Sequence, residues 1–505
     1  MGINGYASVT LSDNGGASVV VPGQSLQLVI GCSSAGTVGQ LVATRSALTL
    51  NNTFSWGPLP EAASLTCAAG GTVLAIRATS TTAGSASTVH FTGSGTSVIT
   101  VTGTPFDTYY FKYKAITGGT IAVAGIQFQV SLDAGRTFSP TINLGTANTY
   151  AVPGTGVTLN FGAGTVVAGD AATFGTVEPM WNDAGILAAL TAYANSPYAF
   201  NPIGSIHIVG GAVAGGAAGA DATAIGGNLE GAVVGAAAIN PLFNSAILSA
   251  RDASPATIWG GTGETDGVWS GLIETDYSAV AQKRIAACAA YWNMPSGLTN
   301  PLGMAPRFRR SVAYAVAART VQIQPQRSWG RVKDGPLANI VVDPVNDPSD
   351  GFVYHNDATV APAGLGDFRF VTTTLRSGKQ GVFIRLANTM AVTGSQYSSW
   401  PLIAVADFAA TILQQVGTNL INDNVRILQS GAIDPRDAVA IQNGMKTQLD
   451  AQMTNQQMVS STLVVVDQTI NTQLTGAINY TATLTARQVV LQINGTLTYS
   501  NPTQG

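Results

Sequence analysis

The chain has 505 residues, of which 46% are hydrophobic and only 10% charged, and its formal net charge is −3. That length accommodates about two to four domains, each with its own core, and the weak negative balance argues against a nucleic-acid partner held by counterion release. Typical soluble domains carry about 25% charge, so surface polarity here must come from Ser, Thr, Asn, Gln and backbone, a surface that repels copies of itself weakly.

Met1–Tyr6 has neither a basic n-region nor an apolar h-region, so no secretory signal is expected. Tyr6 stands where a myristoylation motif needs Ser or Thr. In chain order, Leu26–Gly31 is a continuous apolar run that predicts a buried strand. Ser33–Gly39 is turn-forming, Pro60–Ala69 predicts a short helix, and Thr72–Arg77 a second strand. From Thr79 the chain becomes dense in Ser, Thr and Gly and then alternates. Tyr109–Ala115, Ile126–Ser131, Val157–Phe161 and Thr173–Val177 predict strands, with Asp133-Ala134-Gly135 as a hairpin turn. Together they suggest an all-β insert of sandwich or barrel size.

Helical signals return at Trp181, where Asn182 or Asp183 caps a helix with Ile186, Leu187, Leu190 and Tyr193 on one side. Ile203–Ala220 has no Asp, Glu, Lys or Arg, but it is Gly-rich and follows prolines. It predicts a short strand, Ser205–Val209, and a Gly/Ala-rich loop rather than a membrane span. A helix near Asn228–Ala238, a strand at Ala246–Ala250 and a helix over Ser278–Trp292 follow. Val341–Gly366, rich in Pro, Asp and Asn, predicts a boundary loop. Beyond it, Val405, Phe408, Ile412, Val416 and Leu420 recur at helical spacing, with Ser398 or Ser399 as cap and Pro401 in the first turn. In a second helix Asp434 caps, Pro435 opens, and Ala438, Ile441, Met445, Leu449 and Met453 form a stripe. Val459–Tyr499 then predicts three strands by period-2 alternation: Ile478, Tyr480, Ala482 and Leu484 share one face of the second, and Val489, Leu491, Ile493, Leu497 and Tyr499 continue the pattern.

The residue types that carry chemistry do not converge. His90, His207 and His355 stand in three contexts, and neither an HExxH zinc motif nor a phosphate loop occurs. The glycine run Gly210–Gly227 lacks the Lys and the GxGxxG spacing of a nucleotide loop and is expected to be loop. Gly31-Cys32-Ser33-Ser34-Ala35-Gly36 is one residue off a nucleophile elbow. Asp343 to Gly351 misses the ligand order of a calcium loop. Cys32, Cys67 and Cys288 form no disulfide framework or metal signature; inert thiols are expected, with Cys288 on an Ala-rich helix. Arg307, Arg309 and Arg310 around Phe308 are expected to be solvated arginines ahead of a helix over Ser311–Arg319. No catalytic, cofactor-binding or metal residue is assigned.

The order of several segments resembles the contractile phage tail sheath family, including the sheaths of contractile injection systems. These are Leu28–Gly36 with Gly70–Arg77, Ala246–Asp252, Arg310–Arg319 with Gly335-Pro336-Leu337, and Gly366–Thr374 with Gly381–Ile384, the two long helices and Val459–Asp467. The resemblance covers most of the chain outside the β insert. It implies an α/β core, subtilisin-like in outline, at 23–79 and 179–345. It further implies an inserted outer β-rich domain at 80–178, an α+β assembly domain at 346–486, and arms at 1–22 and 487–505. It implies a non-enzymatic virion protein without cofactor that assembles in the host cytoplasm. Such subunits stack as rings round an inner tail tube, meet baseplate and terminator proteins, and have no nucleic-acid or membrane partner. Arms carrying Tyr6, Val9, Leu11, Val489, Leu491, Ile493, Leu497 and Tyr499 would add strands to neighbours' sheets by β-augmentation. The receiving sheet would present Val464, Val466, Ile478, Tyr480 and Leu484. The alternatives are another structural tail or baseplate protein, and a hydrolase on a subtilisin-like scaffold, which the missing Gly-Thr-Ser-Met-Ala segment disfavours.

Overall fold

The computed structural model describes residues 26–198, 203–211, 217–234, 245–253, 263–341, 365–421 and 423–487. Both expected arms, with Tyr6, Val9, Leu11, Val489, Leu491, Ile493, Leu497 and Tyr499, lie outside these residues, as do His355, Asp343–Gly351 and most of the expected boundary loop.

The continuous apolar runs form the centre of a six-stranded sheet. Its strand order is Ile285–Cys288, Ala246–Ser249, Ser205–Ile208, Leu26–Gly31, Thr72–Arg77, Leu41–Thr44. The first five run parallel and Leu41–Thr44 is antiparallel at the edge. Parallel strands covered on both faces need apolar residues at consecutive positions. Thus Leu28 and Ile30 face the helices Asp183–Ala194, Ala217–Val234 and Asp266–Tyr277, while Val29 faces Ala47–Phe54, Pro58–Ala68 and Ala313–Thr320. Gln27 is a fully buried polar exception: its amide donates to Ser205 Oγ (3.0 Å) and the Ala317 carbonyl (3.1 Å), and it accepts from Thr66 Oγ1 (2.7 Å).

Three expectations fail here. The helix over Ser278–Trp292 is not formed; Asp266–Tyr277 is the helix, and Ile285–Cys288 and Tyr291–Pro295 are strands. Alanine favours helices, but Ala287 and Ala289 point into one helix layer and Ala286, Cys288 and Ala290 into the other. Burial between two layers overrides propensity, and it places Cys288 in the sheet. The glycine run is not all loop, because the helix Ala217–Val234 passes through it. A side chain at Gly219 would collide with the Asp276 carbonyl at 1.9 Å, and one at Gly226 with Gln282 at 2.7 Å, so glycine permits close approach there. Finally, Asn182 caps its helix through Gly185 N (3.0 Å), but Ile186, Ala189, Leu190 and Tyr193 make the buried face and Leu187 is exposed.

Between Ser85 and Val177 the described chain is β-rich and antiparallel. Tyr110–Thr117, Gln127–Ser131 and Ala171–Val177 belong to one sheet, and Ile99–Gly103, Thr149–Val152 and Val157–Phe161 form another. Aromatics fill the space between them; Phe111 stacks on Phe174 with centroids 4.5 Å apart. Ala134 (φ 65°) and Gly135 (φ 89°) take the left-handed conformation that the expected hairpin turn needs. Toward the C-terminus, Val371 N donates to the Ala287 carbonyl (2.8 Å) and Met390 N to that of Ile285 (2.7 Å), covering one sheet edge. Among the described residues no helix is long and apolar enough to cross a membrane.

Candidate assembly surface

The helices Trp400–Thr418 and Pro435–Leu449 carry a hairpin of Val459–Val466 and Tyr480–Ala486. Asp434 caps the second helix by accepting from Arg436 N (2.8 Å), with Pro435 in the first turn. Ser399 holds the cap position of the first helix, but its hydroxyl makes no capping bond. Ala438, Ile441, Met445, Leu449 and Met453 are all buried, as their spacing requires. Against this stripe the first hairpin strand lays Val464 and Val466.

The register pairs Thr462 with Leu484, Val464 with Ala482 and Val466 with Tyr480. One face of the hairpin therefore carries Val464, Val466, Tyr480 and Leu484, and Ile478, just before the second strand, packs partly on the same cluster. The structure thus brings the five expected receiving-sheet residues together. Coverage is uneven: Val464 and Val466 are buried, whereas Tyr480 is 37% exposed. Asp450 anchors the first strand, accepting from Thr462 Oγ1 (2.6 Å) and pairing with Lys446. The Lys446 ammonium and the Thr462 hydroxyl hold its carboxyl below the usual range. Val466 N donates to Gln442 Oε1 (2.9 Å).

Among the described residues this sheet has two strands. Among the described residues nothing pairs with the outer edge of Tyr480–Ala486. On the outward face Leu463 and Val465 are 54% and 49% exposed beside Thr483 and Thr481. A lone two-stranded sheet is marginal in water, and an open edge is a template for another strand. The base beneath it is firm: Arg284 Nη1 donates to both oxygens of Asp407 (2.8 Å each), and the Trp329 and Trp400 ring centroids lie 4.7 Å apart. These contacts tie the first long helix to the parallel-sheet core.

The groups considered for catalysis have structural duties. Ser33 Oγ donates to the Ala35 carbonyl (2.9 Å), and Ser34 Oγ accepts from Trp56 N (2.9 Å). His207 is fully buried edge-on to Tyr314, with neither ring nitrogen partnered among the described residues, and burial pulls its pKa down to about 3. It is a neutral core residue at neutral pH.

The arginine cluster is a correction. Arg307–Ser311 is a strand, the following helix starts at Ala313, and Arg309 and Arg310 are only 6% and 3% exposed. Arg309 forks onto Asp252 (2.7 and 2.8 Å). Arg310 donates to Glu61 Oε2 (2.9 and 2.6 Å), Asp107 Oδ2 (2.8 Å) and the Thr108 carbonyl (3.0 Å). Burial alone would lower the Arg310 pKa, but Asp107 and Glu61 beside it drive it well up. Glu61 is on a core helix and Asp107 in the β-rich segment, so Arg310 pins the two together. Sequence reading missed this because the partners are 249 and 203 positions away. The available signal was the clustering of three arginines in a chain so poor in charge. Among the described residues no set of His, Cys, Asp or Glu is arranged to hold a metal.

No family model and no curated protein matches the chain. Among solved structures it is similar to a sheath tail protein of Desulfitobacterium hafniense: 10% identity, 95% of this chain and 100% of that one covered, TM-score 0.44. A sheath tail protein of Listeria innocua is 10% identical over 92% and 95% of the two chains, with a TM-score of 0.42. A chain of the contracted sheath complex of an extracellular contractile injection system is 9% identical over 99% and 98%, with a TM-score of 0.48. At scores this low the likenesses carry no weight of their own beside the geometry.

Proposed function

We propose that this chain is a structural subunit of a contractile tail sheath, polymerising helically round an inner tube and shortening to drive that tube through a host envelope. The observation that carries the reading is the two-stranded hairpin on a two-helix base, whose outer edge no described residue pairs with. The next alternating segment, Val489–Tyr499, has the pattern of a strand that fits such an edge. Donated to a neighbouring copy, it would make roughly six backbone bonds worth about 0.5–1.5 kcal/mol each, or about 3–9 kcal/mol. It would also cover the half-exposed Tyr480 face. A link made of backbone bonds survives rotation of the bodies it joins, which a shortening lattice requires.

In this reading residues 1–22 and 487–505 are arms, 23–79 with 179–345 the core of subtilisin-like outline, 80–178 the outward insert and 346–486 the assembly domain. The five residues Val464, Val466, Ile478, Tyr480 and Leu484 form the receiving face. The partners are further copies, the tail tube, and baseplate and terminator proteins; the role is mechanical, not catalytic. Electron microscopy of the purified protein should show hollow striated cylinders. Removing residues 489–505 should leave a soluble monomer that does not polymerise. Cylinders of unchanged geometry from that truncation would sink the arm assignment, and no ordered polymer from the full chain under any condition would sink the sheath reading.

A further inference from the structure

The two faces of the parallel sheet carry opposite charge. On one lie the helices Asp183–Ala194, Ala217–Val234 and Asp266–Tyr277, whose sequences hold acids but neither Lys nor Arg. Val268 and Leu272, one turn apart on the last of them, are 53% and 43% exposed, and Glu274 and Asp276 follow on the same helix. Among the described residues neither carboxylate makes an ion pair. Of the neighbouring cations, Arg251 forks onto Glu264 (2.8 and 2.9 Å) and Lys283 lies over the Tyr397 ring.

The opposite face is basic. There Trp329, Leu337 and Val382 pack beside the helix Ala313–Thr320. Leu337 N donates to the Val382 carbonyl (2.8 Å), and Gly381 packs on Pro336, so the segments 331–336 and 375–381 are adjacent. They expose Val332 (39%) and Leu375 (49%) together with Lys333, Arg376 and Lys379. None of these three cations makes an ion pair among the described residues. Residues 321–341 hold a single acid, Asp334, shared by Arg331 (2.7 Å) and Arg327 (3.7 Å), and 371–384 hold none. Each face thus presents exposed apolar residues rimmed by charge of one sign, the pattern of an interaction surface.

We propose that these two surfaces bind each other between copies of the chain, the Val268 and Leu272 face of one copy seating on the Val332 and Leu375 face of the next. The occupant is a second copy because apolar centre and charged rim are matched within one chain; an unrelated acidic or basic partner would satisfy one surface and leave the other. The surfaces lie on opposite sides of one sheet, so the contact is heterologous. Each copy keeps one surface open for the next, which yields a ring or a helix rather than a closed pair. Apolar burial supplies attraction without direction, and the rims steer and orient the approach. The contact is separate from the strand arms, and it rests on the sheath reading for its helical form.

The test uses full-length protein carrying Glu274→Lys with Asp276→Lys, or Lys333→Glu with Lys379→Glu. None of the four positions is buried, so both variants should fold, which far-UV circular dichroism checks. In sedimentation the wild type should assemble at about 0.05 M salt and less at about 0.5 M, where its rims are screened. Each variant alone, with both surfaces now of one sign, should associate about tenfold more weakly or worse. Their equimolar mixture should recover to within about twofold of the wild type, because each reversed surface meets its complement on the other variant. Variants that assemble singly as well as the wild type, a mixture no better than its components, or a wild type that stays monomeric at low salt would overturn the proposal. Electron microscopy separates it from the sheath reading. Hollow cylinders untouched by charge reversal leave the sheath standing without this contact, and assemblies rescued by mixing that are not cylinders keep the contact without the sheath.

Discussion

Replacing Arg310 by Ala would expose the energetics of the junction directly. In the native protein its guanidinium makes three bonds to carboxylate oxygens, at 2.6, 2.8 and 2.9 Å, with all three side chains at most 4% exposed. Bonds to charged groups contribute about 1.5–3 kcal/mol each, which caps the loss at about 9 kcal/mol. Relief of the desolvation cost of burying Arg310 offsets part of this, and breaking a buried ion pair from one side typically costs about 3–5 kcal/mol. We expect that loss at neutral pH. Arg310→Lys keeps the charge but cannot fork, so it should lose about half as much. Urea unfolding of unassembled protein, followed by tryptophan fluorescence and far-UV circular dichroism, reads the change as a shift in midpoint. A loss below about 1 kcal/mol would refute the pinning role.

Leu449→Ala, at a fully buried position beneath the hairpin, should cost about 2–5 kcal/mol in the C-terminal unit, read as lowered hydrogen-exchange protection of Val459–Val466. Leu463→Lys together with Val465→Lys alters only half-exposed outward positions, so each should change monomer stability by no more than about 0.5 kcal/mol. A larger loss by urea unfolding would show that this face is covered within the monomer. In thiol labelling only the half-buried Cys67 should react in the native protein, slowly, because burial pushes its pKa up to about 11. Cys32, pushed up to about 12, and the fully buried Cys288 should react only on unfolding; labelling of either in the native state contradicts their placement.

Local regularities were legible. The stripe from Ala438 to Met453, the cap at Asp434, the runs Leu26–Gly31 and Thr72–Arg77, and the alternation from Tyr480 all depend on neighbours within a few residues, and period alone reveals them. The same pattern put Ile478, Tyr480, Ala482 and Leu484 on one face before any fold was known. Where two local signals competed, the reading failed. The alanines around Cys288 suit a helix, but only the stacking of two helix layers requires small residues in that strand. The helix Ala217–Val234 runs through a glycine-rich stretch because Asp276 and Gln282 approach it closely.

The sequence by itself determined the element types with strong periods and the scarcity of charge. Tertiary structure alone decided where that scarce charge went. A buried arginine is stable only if its counter-charges arrive from elsewhere in the chain, and no local pattern records that Glu61, Asp107 and Arg310 will meet. The edge of Tyr480–Ala486 that no described residue pairs with is likewise a property of the fold. Alternation says that a strand has two faces, but only the sheet shows which strands lie side by side.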